Sequence, residues 1–217
     1  MLIANSKTLT DEAIQAFLHF CHKRRYPRNH EILVPGDAGD KLYYIVEGSV
    51  SITMRDMDNH EIVLAYLNKG DFIGEIGIFY GNNTLKVTVR TRADCVLAEI
   101  SFPRFQKILR SEMAAHAVDI LFALGGQLAT RLLQTSRKVG QLAFLDVTGR
   151  IAKTLIDLCK EPDAMTHPDG MQIRITRQEI GRIVGCSREM AGRVLKDLEA
   201  EGLISAKGKT IVVFGTR

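Results

Sequence analysis

The sequence predicts an α+β chain, with an N-terminal antiparallel sandwich or jelly roll, one long helix, and a small C-terminal domain of helices and a hairpin. Three changes of periodicity predict it. Apolar residues alternate at period two from about Glu31 to Phe102, helical spacing takes over from about Ser111 to Val139, and strands and helices mix after Phe144. The 217 residues are enough for one large domain or two modest ones, with a real core.

A short helix near Asp11–His22 is expected first. In the strand zone, Tyr44/Val46, Val50/Ile52/Met54, Ile62/Leu64/Tyr66 and Leu85/Val87/Val89 alternate with polar neighbours. Turn signals separate them at Pro35-Gly36-Asp37, Asp58-Asn59, Asn68-Lys69-Gly70-Asp71 and Gly81-Asn82-Asn83. Many short strands with such punctuation point to a sandwich or jelly roll.

In the helical zone Leu121, Leu124, Leu128, Thr135 and Leu142 fall on a 3-4-3-4 seam, with Leu132 and Val139 beside it. Arg131 and Lys138 fall on the same seam and make it imperfect. The seam serves either packing on the chain's own barrel or pairing with a second copy. A helix of about 40 Å outruns one small barrel and favours pairing. Gly125-Gly126 inside it costs roughly 1 kcal/mol per glycine against alanine, which suggests close backbone approach there.

Beyond Phe144, LDVTGRIAKTLIDLCK reads as a helix and EPDAMTHPDG as a Pro/Gly loop. QIRITRQEIGRIVGCSREMAGRVLKDLEAEGLI reads as a strand and two helices, and ISAKGKTIVVFG as a hairpin turning at Lys207-Gly208-Lys209. There is no internal repeat.

Composition excludes several classes. With 46% hydrophobic and 25% charged residues the chain is an ordinary globular protein rather than a disordered one. Net charge is +4, shared evenly between the halves on either side of Gly140, so only the placement of charges can indicate a polyanion partner. Cys21, Cys95, Cys159 and Cys186 include no Cys-x-x-Cys pair and read as reduced thiols of a cytoplasmic protein. The N-terminus lacks a basic region followed by an apolar core, and no run of about 18 apolar residues occurs, so neither export nor a membrane span is expected. His19, His22, His30, His60, His116 and His167 form no His-x-His or Glu-x-x-His spacing. Neither an enzyme of the metal-barrel type nor a metal, haem or iron–sulfur site is expected.

Two segments carry chemistry. In TRQEIGRIVGCSREMAGRVLKDLE, Thr176 and Glu179 form a capping box, Gly185-Cys186-Ser187 breaks the helix, and Ser187 caps the next. Helix, glycine-containing turn and helix make a helix-turn-helix signature. On the second helix Met190, Val194, Leu195 and Leu198 are the expected buried stripe. Arg188, Glu189, Gly192, Arg193 and Lys196 share the opposite face. Arginine can bond guanine O6 and N7 together and glutamate can accept from cytosine N4, so this face can read DNA, the alternative being a solvated charged face. Gly192 would let the helix approach the groove floor. Arg177, Gln178, Lys207 and Lys209 add phosphate contacts. In FIGEIGIFYGNNTLKVTVRTR, Glu75 lies in an apolar run, where a carboxylate needs a partner.

These words also carry a resemblance. LAFLDVTGRIAKTL, DAMTHPDGMQIRITRQEIGRIVGCSRE and KGKTIVVFGTR closely resemble the C-terminal half of the bacterial cyclic-AMP receptor protein (catabolite activator) family, and GDKLYYIVEGSVSI, YLNKGDFIGEIGIF and LAEIS resemble its N-terminal nucleotide-binding jelly roll. The match weakens before about Cys21, across Gly81–Thr88 and across Gln106–Val118. The resemblance implies a jelly roll over 1–110, a dimerisation helix and hinge over 111–143, and a winged helix-turn-helix domain over 144–217. It implies a homodimer that binds palindromic double-stranded DNA and contacts RNA polymerase. Arg188, Glu189 and Arg193 then face bases, with Lys196 nearby. Thr166 and His167, in the loop Ala164–Gly170, match a polymerase-contacting loop, and His22, Arg24 and Arg104 match a second, basic contact patch.

The same resemblance makes F-x-G-E-x-G the start of a phosphate-binding cassette, in which Gly74 admits the ligand and Glu75 takes a ribose hydroxyl. A partnership of Glu75 with Arg131 is the alternative. Thr135 and Ser136 match the residues that bond adenine across the dimer. The family's Arg-Ser phosphate pair aligns with Leu85-Lys86. Leucine offers a phosphate nothing; Lys86 supplies a point charge or simply faces outward. Some relatives answer to cyclic di-GMP, and their cassette ending resembles VTVRTRADC. Cyclic AMP is therefore the expected effector, with cyclic di-GMP, or activity without a ligand, as the alternatives.

Overall fold

The computed structural model describes residues 11–57, 61–81, 84–161 and 163–216. The expected turns at Asp58-Asn59 and Asn82-Asn83 lie outside those residues. Contacts gather the chain into two compact units, one of residues up to Met54 with Leu64–Thr135, the other of Arg55–Val63 with Ser136–Arg217.

Along the chain α1 (Asp11–His19) leads into β1 (His22–Tyr26), β2 (Glu31–Leu33), β3 (Lys41–Glu47), β4 (Ser49–Arg55) and β5 (Glu61–Asn68). Next come β6 (Phe72–Ile73), the one-and-a-half-turn α2 (Glu75–Tyr80), β7 (Thr88–Thr91), β8 (Cys95–Ser101) and α3 (Phe102–Arg110). Two four-stranded sheets, in orders β1-β8-β3-β6 and β2-β7-β4-β5, form the predicted antiparallel jelly roll. Period-two alternation feeds two apolar clusters. One unites Tyr43, Ile45, Val50, Ile73, Val89 and Leu97. The other unites Phe17, Tyr44, Phe72, Phe105, Ile120 and Leu124.

The strand zone starts earlier than its periodicity indicates. HKRRY forms β1 although four of its five side chains are exposed, because β8 supplies a ladder from His22↔Glu99 to Tyr26↔Cys95. Backbone pairing, not burial, makes this strand. The reverse holds at Leu85–Val87, which alternates yet lies outside β7. There the Leu85 N–H donates to the Asp37 carbonyl at 3.2 Å and the Leu85 carbonyl accepts from Gly36 N–H at 3.0 Å. Leu85 itself packs against the barrel core.

A 3-10 turn at Ala114–His116 opens the long helix α4 (Ala117–Phe144), 28 residues and therefore about 42 Å. The expected seam is divided here. Ile120 and Leu124 are fully buried in the barrel cluster, and Arg131 turns to the barrel as well. The exposed apolar residues include Leu121 and Leu142 of the expected seam and Leu132 (67% exposed) and Val139 beside it, together with Val118, Phe122 (76%) and Leu133. A Cβ on Gly125 would meet open space.

In the second unit α5 (Val147–Leu158) is capped by Asp146, whose side chain accepts from Gly149 N–H at 2.7 Å. β9 (Met165–His167), β10 (Gly170–Arg174), β11 (Ile204–Lys207) and β12 (Thr210–Phe214) make a third sheet, ordered β11-β12-β10-β9. The Pro/Gly segment read as a loop thus contains a short strand, paired Thr166↔Met171 and His167↔Gly170. Helices α6 (Arg177–Val184) and α7 (Arg188–Ala200) complete the unit.

Candidate nucleotide cavity and nucleic-acid interface

A cavity of about 540 Å3 opens in the first unit beside α2. Gly74 shapes it. Its φ is +90°, and a Cβ there would stand 2.4 Å from the Lys41 carbonyl oxygen, so a side chain would collide with β3. This turn starts α2 with Glu75, whose side chain is 1% exposed. Of the sequence-derived ligand residues, Gly74, Glu75, Lys86, Arg131 and Thr135 all line this cavity. Ser136, next along α4, is exposed and does not.

Glu75 is paired with Arg131. Arg131 also donates through Nη2 to the Phe72 carbonyl at 2.6 Å. One turn earlier on α4, the Gln127 amide accepts from Phe72 N–H and donates to Phe72 C=O, both at 2.7 Å. Gln127 and Arg131, four residues apart on one helix face, therefore fasten α4 to β6. The sequence reading missed Gln127, whose only signal is its i−4 spacing from Arg131. The pair remains incomplete: Glu75 Oε2 and Arg131 Nε are buried without a hydrogen-bond partner among the described residues. Burial pushes the Glu75 carboxyl above its usual range, while Arg131 and a backbone N–H pull against that shift.

The other end of the cavity differs in character. Leu85 lines the cavity half-buried, packed against the core cluster, and Lys86 beside it is exposed and also borders the cavity. Because this segment is not a strand, alternation does not account for the direction of Lys86.

The second unit builds its helix pair as the caps predict. Thr176 Oγ1 accepts from Glu179 N–H at 3.1 Å and Ser187 Oγ accepts from Met190 N–H at 3.1 Å. Gly185, at φ +73°, closes α6 in the left-handed conformation. Ala191, Val194, Leu195 and Leu198 form the buried stripe with Ile151, Leu155 and Ile180. Met190 does not belong to it: at 38% exposed it lies one position off the face that Ala191 fills. Arg188, Glu189, Arg193 and Lys196 all stand exposed on α7. Gly192 is partly covered, since Arg177 lies across it. Gln178 is exposed at the start of α6. Lys207 and Lys209 flank the β11–β12 turn, and the Ile175 N–H donates to the Lys209 carbonyl at 2.8 Å, which ties that turn to the start of α6.

The remaining candidates fall into two sets. His22 and Arg104 border one shallow depression with Lys41 and Glu99, while Arg24 is exposed on β1 and lies against Tyr26. Thr166 is exposed on β9, and His167 Nδ1 accepts from Asp169 N–H at 3.3 Å. All four cysteines are free thiols. No single helix among the described residues is long and apolar enough to cross a membrane.

A cyclic nucleotide-binding domain model matches residues 23–112, and a model of bacterial regulatory proteins of the crp family matches residues 173–204. The CRP-like protein Clp of Xanthomonas campestris pv. campestris is 52% identical over 212 residues, which cover 98% of this chain and 92% of Clp. The chain belongs to the CRP family. It is a DNA-binding transcription regulator with a cyclic nucleotide-binding domain, not an enzyme. Clp of Xanthomonas oryzae pv. oryzae matches equally well, at 52% over 212 residues. Among solved structures, the c-di-GMP-responsive global regulator CLP of Xanthomonas campestris superposes with a TM-score of 0.91, covering 95% of this CRP-family chain and 100% of that one. A CRP/FNR-family regulator from Thermus thermophilus, 23% identical, shares the fold with a TM-score of 0.68, covering 89% and 93% of the two chains.

Proposed function

We propose that this CRP-family protein is a homodimeric, cytoplasmic regulator whose affinity for palindromic DNA is set by cyclic di-GMP. Residues 1–110 take the effector, 111–143 pair the subunits, and 144–217 bind DNA through Arg188, Glu189, Arg193 and Lys196. The phosphates are held by Arg177, Gln178 and Lys209. The observation that carries the effector reading is Leu85. Where a cyclic monophosphate would need a bidentate arginine, this chain presents to the cavity a half-buried leucine that packs against the barrel core. The cyclic di-GMP response of the 52%-identical Xanthomonas campestris regulator CLP supports the same reading.

Cyclic AMP is the second reading, and a specific arrangement favours it. Gly74, Glu75 and Thr135 share one cavity, and Lys86 at its rim offers a charge to a phosphate. Titration calorimetry with both nucleotides separates the two. Cyclic di-GMP is expected to bind in the micromolar range or tighter and cyclic AMP at least tenfold more weakly; the reverse order overturns the proposal. The exposed stripe of α4 supports the dimer. His22, Arg24, Arg104, Thr166 and His167 are exposed or half-exposed and available to RNA polymerase.

A further inference from the structure

Gly192 occupies the middle of α7, where glycine is a poorer helix former than alanine. The helix is regular there and its φ is not positive, so no backbone geometry calls for glycine. A Cβ would fit there in ordinary contact, but a larger side chain would meet a residue of another element. A Cβ on Gly192 would lie 3.4 Å from Arg177 Cδ and 3.7 Å from Arg177 Nε. Arg177 is the first residue of α6. Its arm crosses from that helix and lies in the notch left by the missing side chain. Among the described residues no hydrogen bond or ion pair holds the Arg177 guanidinium. The notch sits on the exposed face of α7, one turn after Arg188 and Glu189 and one turn before Lys196.

We propose that Gly192 is a positioning residue for DNA binding. The lack of a bulky side chain at this position leaves room for Arg177, so that the free guanidinium is set beside the α7 face before DNA arrives. An arginine held by packing alone keeps all its donors for a phosphate and loses less rotamer freedom on binding. Gly192 thus acts through Arg177 rather than by bringing the helix backbone to the groove floor. The inference rests on the proposed DNA-facing role of α7.

A double-mutant cycle tests it, with DNA affinity measured by fluorescence anisotropy across a salt series and thermal melts of every variant. Gly192→Leu evicts the arm. It is expected to weaken binding about tenfold, as losing a charge-assisted contact does, and to lower the salt slope by about one. In an Arg177→Ala background the same leucine should cost almost nothing further. Full additivity of the two changes, or an unchanged salt slope in folded Gly192→Leu, overturns the inference. If Arg188→Ala and Arg193→Ala leave affinity and sequence preference intact, the DNA-facing role of α7 itself fails, a distinguishable result.

Discussion

Arg131 reaches from the middle of α4 to the buried carboxylate of Glu75 and to the Phe72 carbonyl, and so joins the long helix to the floor of the nucleotide cavity. With Glu75 1% exposed, the pair is costly to break from one side. Arg131→Ala leaves a buried carboxylate without its cation and should cost about 3–5 kcal/mol. Replacing both residues by apolar ones of similar size should cost far less. Urea unfolding of both variants checks the difference.

The same carboxylate gives stability a pH dependence. Its folded pKa lies above the ordinary value of 4.5 because burial disfavours the anion. The folded state therefore holds this proton more tightly than the unfolded state. Its contribution is fully present below the unfolded pKa and is lost as pH rises from there through the folded pKa. Glu75→Gln should remove that decline, so the two unfolding free energies should converge at low pH and separate above it. Parallel curves across the range would contradict the assignment.

Leu85 and Lys86 make the effector preference adjustable. Leu85→Arg should raise cyclic AMP affinity by about 10- to 150-fold, the worth of one charge-assisted contact. It should also lower stability, because Leu85 packs against the core cluster. Lys86→Ala should weaken nucleotide binding severalfold at low salt and less at high salt, as expected of an exposed charge. Calorimetry on the two variants checks both, and an affinity indifferent to Lys86 excludes it from the phosphate site.

Two exposed positions on α4 test the dimer. Phe122→Asp and Leu132→Asp lie on the proposed pairing stripe and should yield folded monomers. Leu124→Asp, fully buried in the barrel cluster, should unfold the first unit instead. Sedimentation velocity together with circular dichroism distinguishes the outcomes.

DNA contacts separate by kind. Arg193→Ala should relax sequence preference at one base position, at a cost of about 1–3 kcal/mol for the cognate base. Lys209→Ala should weaken all sequences alike and reduce the salt slope by about one. Binding curves on matched and mismatched palindromes check this, and identical behaviour of the two variants contradicts the sorting.

Particular residues show what the sequence made legible. Thr176, Gly185 and Ser187 announced their helix ends because caps and left-handed turns are local, and the jelly roll followed from period-two runs whose faces are buried. Gly74 and Glu75 were legible as a pair because a carboxylate in an apolar run demands an explanation. What failed depended on distant partners. HKRRY becomes β1 only because β8 offers an edge, and Thr166 joins a strand only because β10 is alongside. On α4 the barrel claims Leu124 and Arg131 of the expected seam and leaves Leu121 and Leu142 exposed, because heptad counting cannot say which residues a neighbouring barrel takes. Gln127 was invisible because a polar residue on a helix usually faces water.

The proposed link between effector and DNA is tested most directly by one titration. Purified full-length protein bound to a fluorescent palindromic site is titrated with cyclic di-GMP, and separately with cyclic AMP, at fixed salt. Cyclic di-GMP is expected to change DNA affinity by tenfold or more and cyclic AMP by less than twofold. A large response to cyclic AMP with none to cyclic di-GMP would contradict the account.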